Sequence, residues 1–196
     1  PLLTLLYDRT FLSGSLRETW RARRGVYVGL ASTWMLPAVL LVLHLDDLQQ
    51  WNVGFELPNL SPLDYVLTQP GVLLHYLRLV VWPSPLVLDY SDWPIARSPA
   101  AIAFPAPAIA ALGFLTLWAL RRRPPLGFLG AWCFVILAPT SSVIPLADPA
   151  FEHRMYLPLA AVLTGLVLAA SEGLRRLHVD TRLRTVCSVG LLAGLV

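Results

Sequence analysis

Between two long apolar runs, residues 126–146 and 156–174, the chain carries a short polar island that reads DPAFEHRMYLP over residues 148–158. These residue types suit anion chemistry. Asp148 followed by Pro149 is a helix-start signal, a capping carboxylate ahead of a proline at the first helical position. Glu152, His153 and Arg154 follow at once, then Met155, Tyr156 and Pro158, where a second break or restart is expected. Free N–H groups at a helix start and a guanidinium pointing the same way make a seat for an anionic head group. Arg154 is the first choice to hold such a group, because its planar fork matches a pair of anionic oxygens and works best where lipid excludes water. The plainer reading makes Arg154 an interfacial arginine that pairs with Glu152 or Asp148. His153 can donate to the same anion or simply sit at the boundary, and Tyr156 can do so or join an aromatic belt.

Other chemistry-bearing residues are sparser. Asp46 and Asp47 follow an apolar run directly, at a helix end where the dipole disfavours negative charge, and a water-facing exit is the plainer reading. His75, Tyr76 and Arg78 either meet a lipid head group or act as ordinary interfacial anchors. Thr140, Ser141 and Ser142 lie between Pro139 and Pro145 and read as groups that satisfy carbonyls freed by those prolines. Cys133 and Cys187 each sit in an apolar run without partner spacing and read as small core residues. His44 and His178 carry no partner pattern, and no cluster has metal-ligand spacing.

The elements that must position these groups are membrane helices. Only 14% of residues are charged and the mean hydropathy is +0.62. Four apolar runs, residues 26–45, 100–120, 126–146 and 156–174, are each long enough to cross about 30 Å of hydrocarbon as a helix. A further run at 185–196 reads as a truncated fifth span. The expected fold is all-α, a polytopic transmembrane helix bundle forming one membrane domain over residues 1–196, and the chain reads as a fragment of a longer protein. All fifteen basic residues are arginine. Twelve are clustered: Arg9, Arg17, Arg21, Arg23 and Arg24, then Arg121, Arg122 and Arg123, then Arg175, Arg176, Arg182 and Arg184. Alternating spans put every cluster on the cytoplasmic side, the positive-inside pattern. The charge is thus explained by topology and is not a nucleic-acid signal.

The segment between the first two spans, residues 46–99, is then external. Leu74, Leu77 and Val81 at helical spacing predict an amphipathic helix over about 71–82, lying on or dipping into the outer surface, with Trp82 and Trp93 at the water–lipid boundary. The alternative, a further span over 71–88, would move Arg121, Arg122 and Arg123 to the outside against the charge rule. The third run carries APTSSVIP, a broken stretch of the kind that borders a cavity more often than lipid.

Two blocks bear a family resemblance. FLGAWCFVILAPTSSVIPLADPAFEHRMYLPLAAV, residues 128–162, resembles the core of GT-C type membrane glycosyltransferases of the protein O-mannosyltransferase-like kind, in particular transmembrane and tetratricopeptide-repeat-containing proteins and their bacterial homologues. The family signature, of the form E-R-x-Y-L-P, stands here as Glu152, His153, Arg154, Met155, Tyr156, Leu157 and Pro158, with one residue inserted between Glu and Arg. LTQPGVLLHYLRLVVWPSPLVLDY, residues 67–90, is similar to the family's external segment and brings Asp89 in as a supporting residue. The resemblance implies transfer of a sugar from a polyprenyl-phosphate donor to an extracytoplasmic acceptor, protein or glycan, at a bacterial inner membrane. It implies donor-phosphate contact by Arg154, His153 and Tyr156, with Glu152, Asp148 and Asp89 supporting. The catalytic base is expected upstream of Pro1 and tetratricopeptide repeats beyond Val196. The general fold also admits a divalent metal ion as cofactor. The rival functions are a transporter or lipid flippase, to which a broken helix beside an ion pair also points, and a non-catalytic anchor for a repeat domain.

Overall fold

The computed structural model describes residues 1–43, 60–87, 90, 92–141, 143, 145–146, 148–176 and 190. Asp46, Asp47, Asp89, Ser142, Cys187, His44, His178 and the run at 185–196 lie outside the described residues. The described elements are helical: α1 (Leu2–Asp8), a π-helical turn (Arg9–Ser13), α2 (Leu16–Ser32), α3 (Met35–Leu43), α4 (Pro62–Val81), α5 (Pro99–Ala103), α6 (Pro105–Arg122), α7 (Pro124–Leu137), a 3₁₀ turn (Glu152–Met155) and α8 (Tyr156–Arg176). Three helical stretches are long and apolar enough to cross a membrane: Leu16–Leu43, Pro99–Arg122 and Glu152–Arg176. Many large apolar side chains face outward on them, such as Met35, Leu36, Phe104 and Phe114. In water such a surface would drive aggregation; against lipid tails it is the expected exterior.

The third predicted span, 126–146, is cut short. α7 has 14 residues, about 21 Å of helix, and ends at the residue pair before Pro139. Pro139 supplies no N–H to the ladder, and although Ala138 before it keeps helical angles (φ −51°, ψ −42°) the chain passes from helix into turns over 138–140. The predicted break is therefore present, but the helical part of the run stops well short of residue 146.

α6, α7 and α8 form an antiparallel hairpin series. Gly127 of α7 lies against the backbone of Leu120, and Gly130 against Thr116, so ascending positions on α7 meet descending ones on α6. Small residues let two helix backbones approach this closely. On the other side Trp132 Nε1 donates to the Leu157 carbonyl at 3.0 Å, Cys133 Sγ to that of Pro158 at 3.5 Å, and Leu129 reaches Gly165. One end of the series thus collects Arg121, Arg122 and Arg123 with Arg175 and Arg176, the cations placed where helix C-terminal dipoles favour them. The opposite end holds the polar island.

The N-terminal helices belong to the arginine-rich end. Tyr7 and Phe11 pack edge-on against Phe128, and Arg9 Nη2 donates to the Leu120 carbonyl at 3.4 Å. Asp8 is 4% exposed; its Oδ2 accepts from Arg23 Nη1 at 2.9 Å and from the Tyr27 hydroxyl. Replacing Asp8 by Ala leaves a buried tyrosine hydroxyl without an acceptor. It is expected to cost about 2 kcal/mol, the order of a lost charge-assisted hydrogen bond, read as a lower unfolding midpoint in detergent.

The external helix departs from its prediction. α4 begins at Pro62, nine residues before the predicted start at 71, and packs into the bundle beside α6 and α8. Ser61 caps it, accepting from the Asp64 N–H at 3.0 Å, and Pro62 occupies the first turn. Tyr65, Thr68, Gln69, Val72, Tyr76 and Val80 form one buried face. That face runs across Pro70, so tertiary packing on both sides holds the helix through a residue that removes one ladder bond. Tyr76, expected at the water–lipid boundary, is only 1% exposed and belongs to a core with Val72, Val80, Tyr90, Leu137, Ala150 and Met155. The strap between α4 and α5 is tied to the same helix: Thr68 Oγ1 accepts from the Ala96 N–H at 2.9 Å, and Arg97 pairs with Asp64 at 3.5 Å.

Candidate functional site

The polar island folds differently from its expected helix start. Asp148 is not a helix cap. Phe151 is extended at φ −151°, the 3₁₀ turn follows it, and α8 proper begins at Tyr156. Nor does Pro158 restart a helix. It lies in the first turn of α8, where its missing N–H leaves no ladder bond unmade.

Arg154 organises this local shape. Its Nη1 donates to the Pro149 carbonyl and its Nη2 to the Asp148 carbonyl, both at 3.0 Å. The guanidinium carbon lies 5.1 Å from the centre of the Phe151 ring, a cation–π distance. The anticipated carboxylate partners, Glu152 or Asp148, are therefore replaced by backbone oxygens of the island. Those carbonyls belong to a non-helical turn and have no ladder to satisfy them, and a charged fork meets two at once. Two donors are committed to these carbonyls, and the guanidinium also lies beside the Tyr65 and Tyr76 hydroxyls. Arg154 is half-buried and, with Ile136, Thr140, His153, Tyr156 and Leu157, lines an open groove of about 360 Å³.

His153 is exposed with its ring 5.0 Å from that of Phe151, and Tyr156 is 75% exposed at the groove mouth. The structure thus brings Arg154, His153 and Tyr156 to one groove, with the Asp148 carbonyl behind the guanidinium. Glu152 points elsewhere. Its Oε1 accepts from the Val87 N–H at 2.8 Å and from the Tyr90 hydroxyl at 2.7 Å. Since Tyr90 gives its hydrogen to Glu152, it accepts from His75 Nε2, 3.0 Å away. The ring of His75 also meets Trp93 edge-on. Glu152 is a clasp between the segment that follows α4 and the island, and His75 and Tyr90 complete it. Neither was assigned this role from sequence; the pairing spans 62 residues, and no local periodicity reports such a contact.

Two further tyrosines flank Arg154. Tyr65 donates to the Thr140 carbonyl, and the Tyr76 hydroxyl accepts from the Phe151 N–H at 2.7 Å. Burial raises both phenol pKa values, and the Arg154 guanidinium opposes that rise by favouring the phenolate. Tyr90 is raised as well, by burial and then by its hydrogen bond to Glu152. The helical spacing of Tyr65, Gln69, Val72 and Tyr76 was the available signal for this wall, legible only once α4 is extended through Pro70.

His75 is shifted down from 6.5, first by burial and then by Arg78, with Glu152 opposing. A histidine with a depressed folded pKa contributes stability that is complete above its unfolded pKa and is lost as pH falls through the folded value. Stability is therefore expected to decline as pH falls below about 6.5, and His75→Gln to flatten that part of the curve. Unfolding midpoints measured between pH 7.5 and 5 check both. Among the described residues no group of three or more His, Cys, Asp or Glu is placed to hold a metal ion. Comparison with protein-family models, with curated proteins and with solved structures finds no match to this chain.

Proposed function

We propose that this chain is part of a membrane glycosyltransferase-like protein that moves a sugar from a polyprenyl-phosphate donor to an extracytoplasmic acceptor. In that reaction an acceptor oxygen bonds to the sugar's anomeric carbon, the carbon–oxygen bond to phosphate breaks, and the phosphate leaves with the electron pair. Arg154 stabilises the charge that accumulates on the leaving phosphate, with His153 and Tyr156 as further donors at the groove mouth. The observation that supports the reading is the state of the guanidinium. It is half-buried, held by two backbone carbonyls, and borders a groove of about 360 Å³ at the end of the bundle away from the clustered arginines. Fixing a cation before the ligand arrives lowers the reorganisation needed when charge develops. The protein with its full flanking sequence, assayed for turnover of a polyprenyl-phosphate sugar, tests the reading: equal rates for the parent protein and Arg154→Ala reject it.

A further inference from the structure

Gln69 is 3% exposed, yet neither its Nε2 nor its Oε1 has a hydrogen-bond partner. The hydroxyl of Ser141 is buried in the same unpaired state. Buried amides and hydroxyls are almost always satisfied, and two exceptions in one region call for a missing partner. Their region adjoins the Arg154 groove through Thr140, the residue before Ser141, although neither Gln69 nor Ser141 lines the groove itself. Tyr65 and Gln69 are one turn apart on the buried face of α4, and Tyr65 reaches the carbonyl of Thr140, the neighbour of Ser141. Tyr76, further along the same face, holds the Phe151 N–H. Gln69 therefore lies on the α4 face between these two contacts. Arg154 crosses the same interval, anchored at Asp148 and Pro149 and close enough to both tyrosines to ease their ionisation. Thr140 and Arg154 themselves line the groove.

We infer that Gln69 and Ser141 are the inner ligands of the phosphate monoester that leaves in this reaction and is held at Arg154, the amide NH₂ and the hydroxyl donating to one anionic oxygen while Arg154 grips the group from the groove side. The inference rests on the proposed phosphate role of Arg154 and adds its inner wall. Gln69 Oε1 accepts from the protonated oxygen that a phosphate monoester retains near its second pKa, about 6. An amide that is unpaired without ligand and paired with it favours binding at the expense of the empty protein's stability.

Thermal unfolding of the full protein in detergent, with farnesyl phosphate or inorganic phosphate as probe, separates the possibilities. Gln69→Leu is expected to raise the midpoint of the empty protein by about 2–4 °C and to weaken probe binding about ten-fold. Ser141→Ala is expected to weaken binding in the same direction, and it serves alone if Gln69→Leu does not fold. A response to both probes identifies the phosphate itself as what is read, and a response to farnesyl phosphate alone adds the lipid tail; either supports the inference if the variants weaken it. A raised midpoint with unchanged probe affinity means a buried water only and overturns it. Binding lost in Arg154→Ala but intact in Gln69→Leu and Ser141→Ala overturns the inner wall and leaves the Arg154 reading standing. No probe response in the parent protein overturns both.

Discussion

Arg154→Ala is expected to reduce sugar transfer by about 100-fold or more, the scale on which removing one preorganised donor from a developing oxyanion acts. The same change removes two charge-assisted bonds to the Asp148 and Pro149 carbonyls and is expected to cost about 3 kcal/mol of stability. The two effects separate by temperature, since rates compared well below the variant's unfolding midpoint report only the chemical loss. Arg154→Lys is the sharper probe. It keeps the charge but cannot span two carbonyls and still present donors to a ligand. Its activity should fall between those of Arg154→Ala and the parent protein. His153→Gln should cost less than either, because His153 is exposed and anchors nothing among the described residues. Turnover of all variants on one polyprenyl-phosphate sugar gives the ranking.

Gly127→Ala should produce the largest structural loss. A Cβ at this position would overlap the backbone of Leu120 and Ala119, and a backbone, unlike a flexible side chain, can yield only if α6 and α7 move apart. The expected cost is about 3 kcal/mol, with loss of activity beside it, because α7 carries the break that leads into the island. Gly130→Ala meets only the Thr116 side chain, which can rotate, and should cost less. Gly113→Ala meets nothing within 4 Å and should be neutral or stabilising by about 0.5–1 kcal/mol, the helix preference of alanine over glycine. Unfolding midpoints in detergent for the three variants test the order.

The clasp at Glu152 shows where local reading of the chain ends. Glu152 and Arg154, with only His153 between them, send their side chains on different errands. Arg154 folds back onto residues 148 and 149, while Glu152 reaches Val87 and Tyr90. The two lie two positions apart in the chain, and that spacing carries no record of the partners. α4 is a second case. The spacing of Leu74, Leu77 and Val81 predicts a short surface helix over about 71–82, and the buried face that carries α4 through Pro70 is visible only when α6 and α8 are in place.

Sequence alone determined the apolar helices long enough to span a membrane, the gathering of arginine at one end, the break in the stretch from Pro139 to Pro145 and the polar island with Arg154 in it. These follow from length, hydropathy, charge and proline geometry, which act over a few neighbouring residues. Tertiary structure alone decided that Arg154 is held by carbonyls, that Glu152 ties the strap to the island through Tyr90 and His75, and that Gln69 is buried without a partner. Each of these depends on which distant groups come within hydrogen-bonding range, and that distance is set by packing between helices and by nothing local in the chain.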